Sequence, residues 1–583
     1  MCERNVITTR LAGAQRPRAR GRTSRPISVV ACAVALLTLP AAAQEPASLG
    51  NTVAAIDHLI GSIYAPDAPG AAIIVVKDGQ VLLRKAYGLA NVELNVPLRP
   101  DSVMAIASLS KQFTAAAILK LVEQRKMALD DDITRFLPSY PTHGARITVE
   151  HLLTHTSGIS GLSETSDLRA TTASDGKVID LAADWVRDLP ADAAPGERWA
   201  YSNWGYNLLA TIVEQVSGKS YADFLDEQIF GPLGMTHTFY TDRRRVIPLR
   251  AVGYDTSGDT VMNVLPSRSR AYHPSGAGGL LSTVDDLATW NDALSRGRVL
   301  SRASLDRMFT PYRLNDGTST GYGYGWDIGE YEGHPVHEHA GGVSGFQSFV
   351  VRIPDANLYV AILSNGTPMT APLQATAHRV AALALGRPIP EPQGISVPPG
   401  TLEGLVGTFR GSDVGTFATL REGDRLVAEV PGFSRMPLVM VAPMTFRSPL
   451  VTWTFTFDAD AGSRAVRVRI RDWKLNDVAE RTESVAPTTR PIVTLTTAQL
   501  DAITGEYESL NGVLVRVTRV ADHLVVQPAG QTDIDIFPVA ASEFVTKEGD
   551  VQYAFVLDGG GAVRGYTRAA AGGRPVPARR LFP

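Results

Sequence analysis

Ser108-Leu109-Ser110-Lys111-Gln112-Phe113 opens a mostly apolar stretch that runs to Met127 and reads as one long helix. A three-residue spacing on a helix puts the Ser108 hydroxyl and the Lys111 amine on one face, within a turn of each other. A hydroxyl is a weak nucleophile until a nearby base takes its proton. A lysine can do so only where burial or neighbouring cations lower its pKa, which favours the root of an apolar helix over a wet surface. The plain alternative is an N-cap serine followed by a surface lysine. The same four-residue pattern occurs at Ser174-Asp175-Gly176-Lys177, in polar, glycine-containing sequence with no helix to fix it.

Working outward, Ala71 to Lys77 and Gln80 to Gly88 alternate around Asp78-Gly79, which predicts a hairpin with a two-residue turn. Helical stretches follow near Val149 to Thr154, Asn207 to Val216 and Thr283 to Ser295, and strand-like runs return at Phe346 to Ile353 and Leu358 to Leu363. An early hairpin, late strands and helices between them predict an α+β domain whose N- and C-terminal strands share one antiparallel sheet. Arg387 to Gly400 holds five prolines and reads as a stiff linker. Beyond it, short β-branched and aromatic runs broken by Gly and Asp predict an all-β region.

That region repeats itself. Leu402-x3-Val406-Gly407-Thr408-Phe409 matches Leu500-x3-Thr504-Gly505-Glu506-Tyr507, and Arg421-x2-Asp424-x-Leu426-Val427 matches Arg519-x2-Asp522-x-Leu524-Val525, at one offset of 98 residues. Two small antiparallel β-barrels of lipocalin-like kind account for the repeat and remove exposed edges; one large sandwich is the alternative. The expected plan is a segment 1–43, a catalytic domain 44–386, a linker 387–400, and barrels over 401–486 and 492–583.

Charge and composition narrow the function. A formal charge of -3 with 20% charged residues leaves no overall positive field for a polyphosphate backbone, so nucleic-acid binding is not expected. Seven arginines stand between Arg4 and Arg25 against the single acid Glu3, followed by the apolar run Pro26 to Leu39 and the small residues Ala41-Ala42-Ala43. This is the pattern of an export signal and predicts a periplasmic or secreted protein. Cys2 and Cys32, the only cysteines, leave with that segment, so no disulfide and no thiol nucleophile is expected. A lipoprotein reading of Cys32 is disfavoured because the apolar core continues after it. Elsewhere no run of about 18 apolar residues predicts a membrane span.

Two further patterns join Ser108. Tyr201-Ser202-Asn203 is the only Tyr-x-Asn in the chain, and His339-Ala340-Gly341 the only His-x-Gly. Their order and spacing, 93 residues from Ser108 to Tyr201 and 138 more to His339, resemble the three motifs of the penicillin-recognising serine hydrolases, with histidine in place of the lysine of motif three. This group includes class C β-lactamases, D-Ala-D-Ala carboxypeptidases, D-aminopeptidases and related esterases. His151 to Ile159, Pro232 to Thr238 and Tyr322-Gly323-Tyr324-Gly325-Trp326 also look like this family, and the resemblance covers about residues 50 to 385.

The resemblance implies a β-lactamase/transpeptidase-like fold and a cofactor-free reaction on a small peptide, amide or ester. It makes Ser108 the nucleophile, Lys111 and Tyr201 candidate bases, His339 their companion, Asn203 a holder of the substrate's amide, and the N–H groups of Ser108 and Gly342 the oxyanion donors. Tyr201 can act as a base only if Lys111 and a partly charged His339 lower its phenol pKa. Small residues at Gly342 are expected to let the strand approach.

The departures bear on substrate. Relatives that bind a substrate carboxylate generally place hydroxyl side chains just after the Lys or His of motif three, where this chain has Ala340 and Gly342. D-aminopeptidases of the family combine a His-containing third motif with two C-terminal barrels, so release of an N-terminal D-residue is expected. A carboxylesterase or D-Ala-D-Ala carboxypeptidase is the second reading, and a ligand-binding or sensory protein with an idle catalytic fold is the third. Asp533 and Asp535 are candidate acids for a loop that recognises a free amine. His151 with His155, and the cluster His334, His337 and His339, have conceivable zinc spacings but lack an accompanying carboxylate set, so no metal is expected. Ser217-Gly218-Lys219-Ser220 reads as a helix end, and Gly317 to Gly321 as a glycine-rich loop.

Overall fold

The computed structural model describes residues 49–159, 191, 193–240, 246–256, 261–263, 276–367, 373–398, 400–411, 414–430, 435–460, 464–473, 475–482, 492–509, 514–528, 533–546, 551–557, 560–570 and 576–581. The expected export segment 1–43, the second Ser-x-x-Lys at 174–177 and the barrel junction near 486–491 lie outside these residues.

The predicted hairpin is present as β1 (Ala71–Lys77) and β2 (Gln80–Tyr87), turning through Asp78 and Gly79 at positive φ. The late strands are β3 (Asp327–Tyr331), β4 (His334–Val343), β5 (Phe346–Ile353) and β6 (Leu358–Ser364). All six form one antiparallel sheet in the order β3-β4-β5-β6-β1-β2, with Ala71 opposite Ser364 and Lys77 opposite Leu358. The N- and C-terminal strands of the domain therefore pair as expected.

Helices cover both faces of this sheet. Ala71, Ile73 and Val75 of β1 face the helices α1 (Leu49–Gly61) and, near the end of the domain, α5 (Leu373–Ala384). Ala72 and Ile74 face the opposite layer, which contains α2 (Ser110–Glu123), α3 (Asn203–Ser217) and α4 (Val284–Ser295). Because both faces are covered, β1 and β6 are apolar nearly throughout instead of alternating with polar residues. Helix α2 is central: every residue from Ser110 to Leu119 is buried. Helix α3 ends at Ser217 with Gly218 in the left-handed region, so Ser217 to Ser220 is the helix end expected.

Each half of the repeat closes into an eight-stranded up-and-down barrel, Gly407–Thr482 and Gly505–Arg580, which excludes the single sandwich. The 98-residue offset is structural as well. Arg421 reaches Gly423 O and Glu403, while Arg519 reaches Ala521 O and Asp501. Phe409 and Tyr507 are both fully buried, at equivalent places in the two barrel cores.

Candidate active site

The serine turn is shaped by its neighbours. The chain passes through a 3-10 turn, Ala107–Leu109, before α2 starts at Ser110, so Ser108 precedes the α-helix instead of lying within it. Ala107 has φ 46°, a conformation costing a non-glycine residue about 1–3 kcal/mol and held only where the surroundings fix it. Here Ser348 donates to Ile106 O at 2.8 Å, and Leu280 N donates to Ser110 Oγ at 3.1 Å. A Cβ on Gly341 would lie 2.3 Å from Ser348 Oγ, 2.5 Å from Ile106 O and 3.1 Å from Ser108 N. The close approach expected at Gly342 thus belongs to Gly341; Gly342 is exposed, with open space where a Cβ would stand. On the other side, Gly325 at φ 77° lets the Tyr322 to Trp326 segment rest on the Lys111 backbone, where a Cβ would meet atoms at 2.8 Å.

Lys111 is fully buried, and desolvation holds its amine well below the usual lysine pKa. Its Nζ lies 2.7 Å from Asn203 Oδ1, 2.9 Å from Ala277 O and 3.1 Å from Ser108 Oγ. A neutral amine has two N–H donors and one lone pair. Asn203 Oδ1 and Ala277 O can only accept, so they take two N–H bonds, and on deprotonation the lone pair is left for the Ser108 hydroxyl. Asn203, expected to hold the substrate's amide, spends its carbonyl oxygen on the lysine. Ala277 is held in turn by Asn207 Oδ1, which accepts its N–H at 3.2 Å.

Tyr201 also hydrogen-bonds Ser108, and the Lys111 amine lies 4.7 Å from its ring centre. The expected lowering of the phenol pKa does not occur. Burial raises it, outweighing the bond to Ser108, so at neutral pH Tyr201 is a protonated donor. His339 is buried on β4 with its ring centre 6.2 Å from that of Tyr201. Its Nδ1 lies 2.6 Å from Ala340 O, which can only accept, and its Nε2 lies 2.9 Å from the Tyr322 hydroxyl, which burial keeps protonated. The ring is thus held between its own backbone and the Tyr322 hydroxyl.

His155, which the sequence offers only for a zinc spacing and within a family-like stretch, lies under motif two. Its carbonyl accepts from Ala200 N at 2.8 Å and its Nδ1 from Ser202 N at 3.0 Å, so it grips the backbone on both sides of Tyr201. Its ring centre lies 4.4 Å from that of Tyr201 and 4.7 Å from that of Tyr322. Burial, with Lys111 and His339 nearby, keeps its pKa well below the usual histidine value.

The other histidines do not converge. His151 Nδ1 accepts from Thr148 N in a capping box, His334 pairs with Asp355, and His337 stacks on Phe309 beside Arg352. Among the described residues no group of three or more His, Cys, Asp or Glu is placed to hold a metal ion. Asp533 bonds Gln527 and Asp535 lies 3.4 Å from His523, all within the second barrel.

An antiparallel sheet between helical layers, with a serine at the root of the central helix, defines a serine hydrolase of the β-lactamase/transpeptidase fold. The Beta-lactamase family model matches residues 55–385, more than half of the chain, and the chain belongs to this family. It is 30% identical to penicillin-binding protein 4* of Bacillus subtilis over 67% of this chain and 90% of that one. It is 28% identical to a D-aminopeptidase of Gluconobacter oxydans, over 72% and 73% of the two chains. Among solved structures, the octameric penicillin-binding protein homologue from Pyrococcus abyssi superposes with a TM-score of 0.52 at 28% identity, over 74% of this chain and all of that one.

Proposed function

We propose that this protein is an exported hydrolase acting through an acyl-enzyme on small amides or esters, and that it preferentially releases an N-terminal D-residue. The mechanism is supported by one observation, the buried Lys111 amine held by Asn203 Oδ1 and Ala277 O at 3.1 Å from Ser108 Oγ, where its lone pair meets the serine once it is deprotonated. Ser108 Oγ attacks the substrate carbonyl carbon while its proton passes to Lys111. The N–H groups of Ser108 and Gly342 receive the developing oxyanion. The bond to the amine or alcohol then breaks, and the leaving group takes a proton from the lysine ammonium through the adjacent Tyr201 hydroxyl. Water attacks the acyl carbon by the same route, releasing the acid and restoring Ser108. His339 supports this array through Tyr322.

Three observations favour the D-aminopeptidase reading. Motif three presents Ala340 and Gly342, with no hydroxyl for a substrate carboxylate. Two barrels follow the catalytic domain. A relative named D-aminopeptidase aligns over 72% of the chain. Export rests on the arginine-then-apolar segment 1–43, and the domain plan on the linker and the two barrels. The likeness to a penicillin-binding protein favours a second reading, a D-Ala-D-Ala carboxypeptidase, which would need a carboxylate partner from outside motif three.

Hydrolysis of D-alanine p-nitroanilide, beside its L-isomer, its N-acetylated form and p-nitrophenyl acetate, with Ser108→Ala as control, tests this. Preference for the free-amine D-substrate, abolished in the variant, is the expected result. Ser108-dependent ester cleavage alone would sink the substrate claim and leave the mechanism.

A further inference from the structure

Strand β4 carries two functions on opposite faces. His339 faces the helical layer that holds Ser108, while the adjacent Glu338 faces α5. Glu338 is buried, lies 2.6 Å from His378 Nε2 and accepts from Gln374 Nε2 at 3.1 Å. His378 is fully buried too, and its other nitrogen turns to the first barrel: Nδ1 lies 3.2 Å from Thr452 Oγ1 and 3.9 Å from Asp472 Oδ2. Thr452 donates to Asp472 Oδ1 at 2.6 Å. The neighbouring Trp473 ring stacks between His378, at 4.1 Å, and Tyr331, at 4.0 Å. Its carbonyl accepts Glu330 N at 2.9 Å, capping the edge strand β3.

A barrel that served only as ballast could dock through apolar surface. Instead it supplies a carboxylate, a hydroxyl and an indole to a buried histidine whose other partner is on the strand of motif three. Buried polar chains of this kind are stable only when every member is satisfied, so each fixes the position of the next. We infer that the first barrel is a positioning part of the active site: Asp472, acting through His378 and Glu338, holds β4 so that His339, Gly341 and Gly342 register against Ser108. This rests on the reading of Ser108 and motif three given above and fails separately from it.

The test uses the full-length protein with Asp472→Asn, with Thr452→Val as a second variant should the first not fold. Glu391→Gln is the control, because it removes a surface ion pair with Arg379 beside the same barrel without touching the chain to β4. Hydrogen-exchange mass spectrometry follows strand segments, and fluorophosphonate labelling of Ser108 is resolved into its maximal rate and half-saturating concentration. Expected are faster exchange over 336–343 but not over 71–87, and a maximal labelling rate lower on the order of tenfold with little change in half-saturation. Glu391→Gln should change neither. Unchanged exchange over 336–343, or equal acceleration in every strand of the sheet, would overturn the inference whatever the labelling shows. A wild-type protein that resists labelling would instead count against the reading of Ser108, and the exchange data would still decide the positioning role.

Discussion

Replacing Gly341 by alanine puts the closure of β4 on Ser108 under direct test. The added methyl would stand 2.3 Å from Ser348 Oγ, 2.5 Å from Ile106 O and 3.1 Å from Ser108 N. Carbon and oxygen pack at roughly 3.5 Å, so strand and turn must separate by about 1 Å. Ser348 cannot simply rotate away, since its hydroxyl is the one that ties down Ile106 O. Overpacking of this kind costs about 1–3 kcal/mol, or a fall in Tm of roughly 1–4 °C for a domain of this size. Displacing the strand from the serine by about 1 Å should cost on the order of a hundredfold in kcat/KM. Gly342→Ala is the internal control, because nothing lies within 4 Å of its Cβ position. It should change stability by no more than about 0.5 kcal/mol and keep most activity. Differential scanning fluorimetry and Ser108-dependent hydrolysis of p-nitrophenyl acetate measure both effects. A fully active Gly341→Ala beside a crippled Gly342→Ala would refute the reasoning, since the steric contact would then lie at the wrong glycine.

Three further outcomes are expected. Activity should show an acid limb as pH falls through the lowered pKa of Lys111 and stay level above it; a profile without that limb would exclude Lys111 as the base. Because the folded pKa lies below the unfolded value, the unfolded chain binds more protons between the two, so this group makes stability rise with pH across that window. Urea titrations at pH 7 and 9, compared with Lys111→Met, isolate that contribution, and equal pH dependence in both proteins would contradict it. His155→Asn keeps an acceptor near the Nδ1 position that receives Ser202 N, whereas His155→Gln does not. The asparagine variant should therefore retain at least about tenfold more activity, a gap matching the ~1–1.5 kcal/mol net value of one hydrogen bond, and the reverse order would rule out backbone gripping.

The parts of the architecture that local pattern controls were legible in the chain. The Asp78-Gly79 hairpin, the helix after Ser108 and the 98-residue repeat all depend on residues close in sequence or on direct self-similarity. Three things were not. The start of α2 at Ser110 is set by Ser348 and Gly341, more than 200 residues away, which hold Ala107 in a conformation that alanine avoids. The direction of the Tyr201 shift depends on how deeply the ring is buried, and burial beat the nearby amine. The chain Glu338–His378–Asp472 joins a strand, a helix and a barrel, and no spacing rule links them. His155 stood within a stretch already singled out, but only the fold shows that its Nδ1 meets Ser202.

The balance of charge at the site ties the mechanism to the substrate. Ser108 is contacted by an amine whose pKa burial holds well below the usual lysine value and by a phenol that burial keeps protonated, so the fixed positive charge beside the serine is weakened. The imidazole of motif three faces Tyr322 and its own backbone, and the positions after it carry a methyl and a hydrogen. A substrate carboxylate entering along β4 would leave water without gaining a charge-assisted partner from these groups, forgoing about 1.5–3 kcal/mol, roughly a factor of 10 to 150 in affinity. A neutral amide or ester loses nothing by comparison. Burial that frees the Lys111 amine of its proton, at the cost of some basicity, and the missing hydroxyls after His339 both favour the uncharged substrates of the proposed reading.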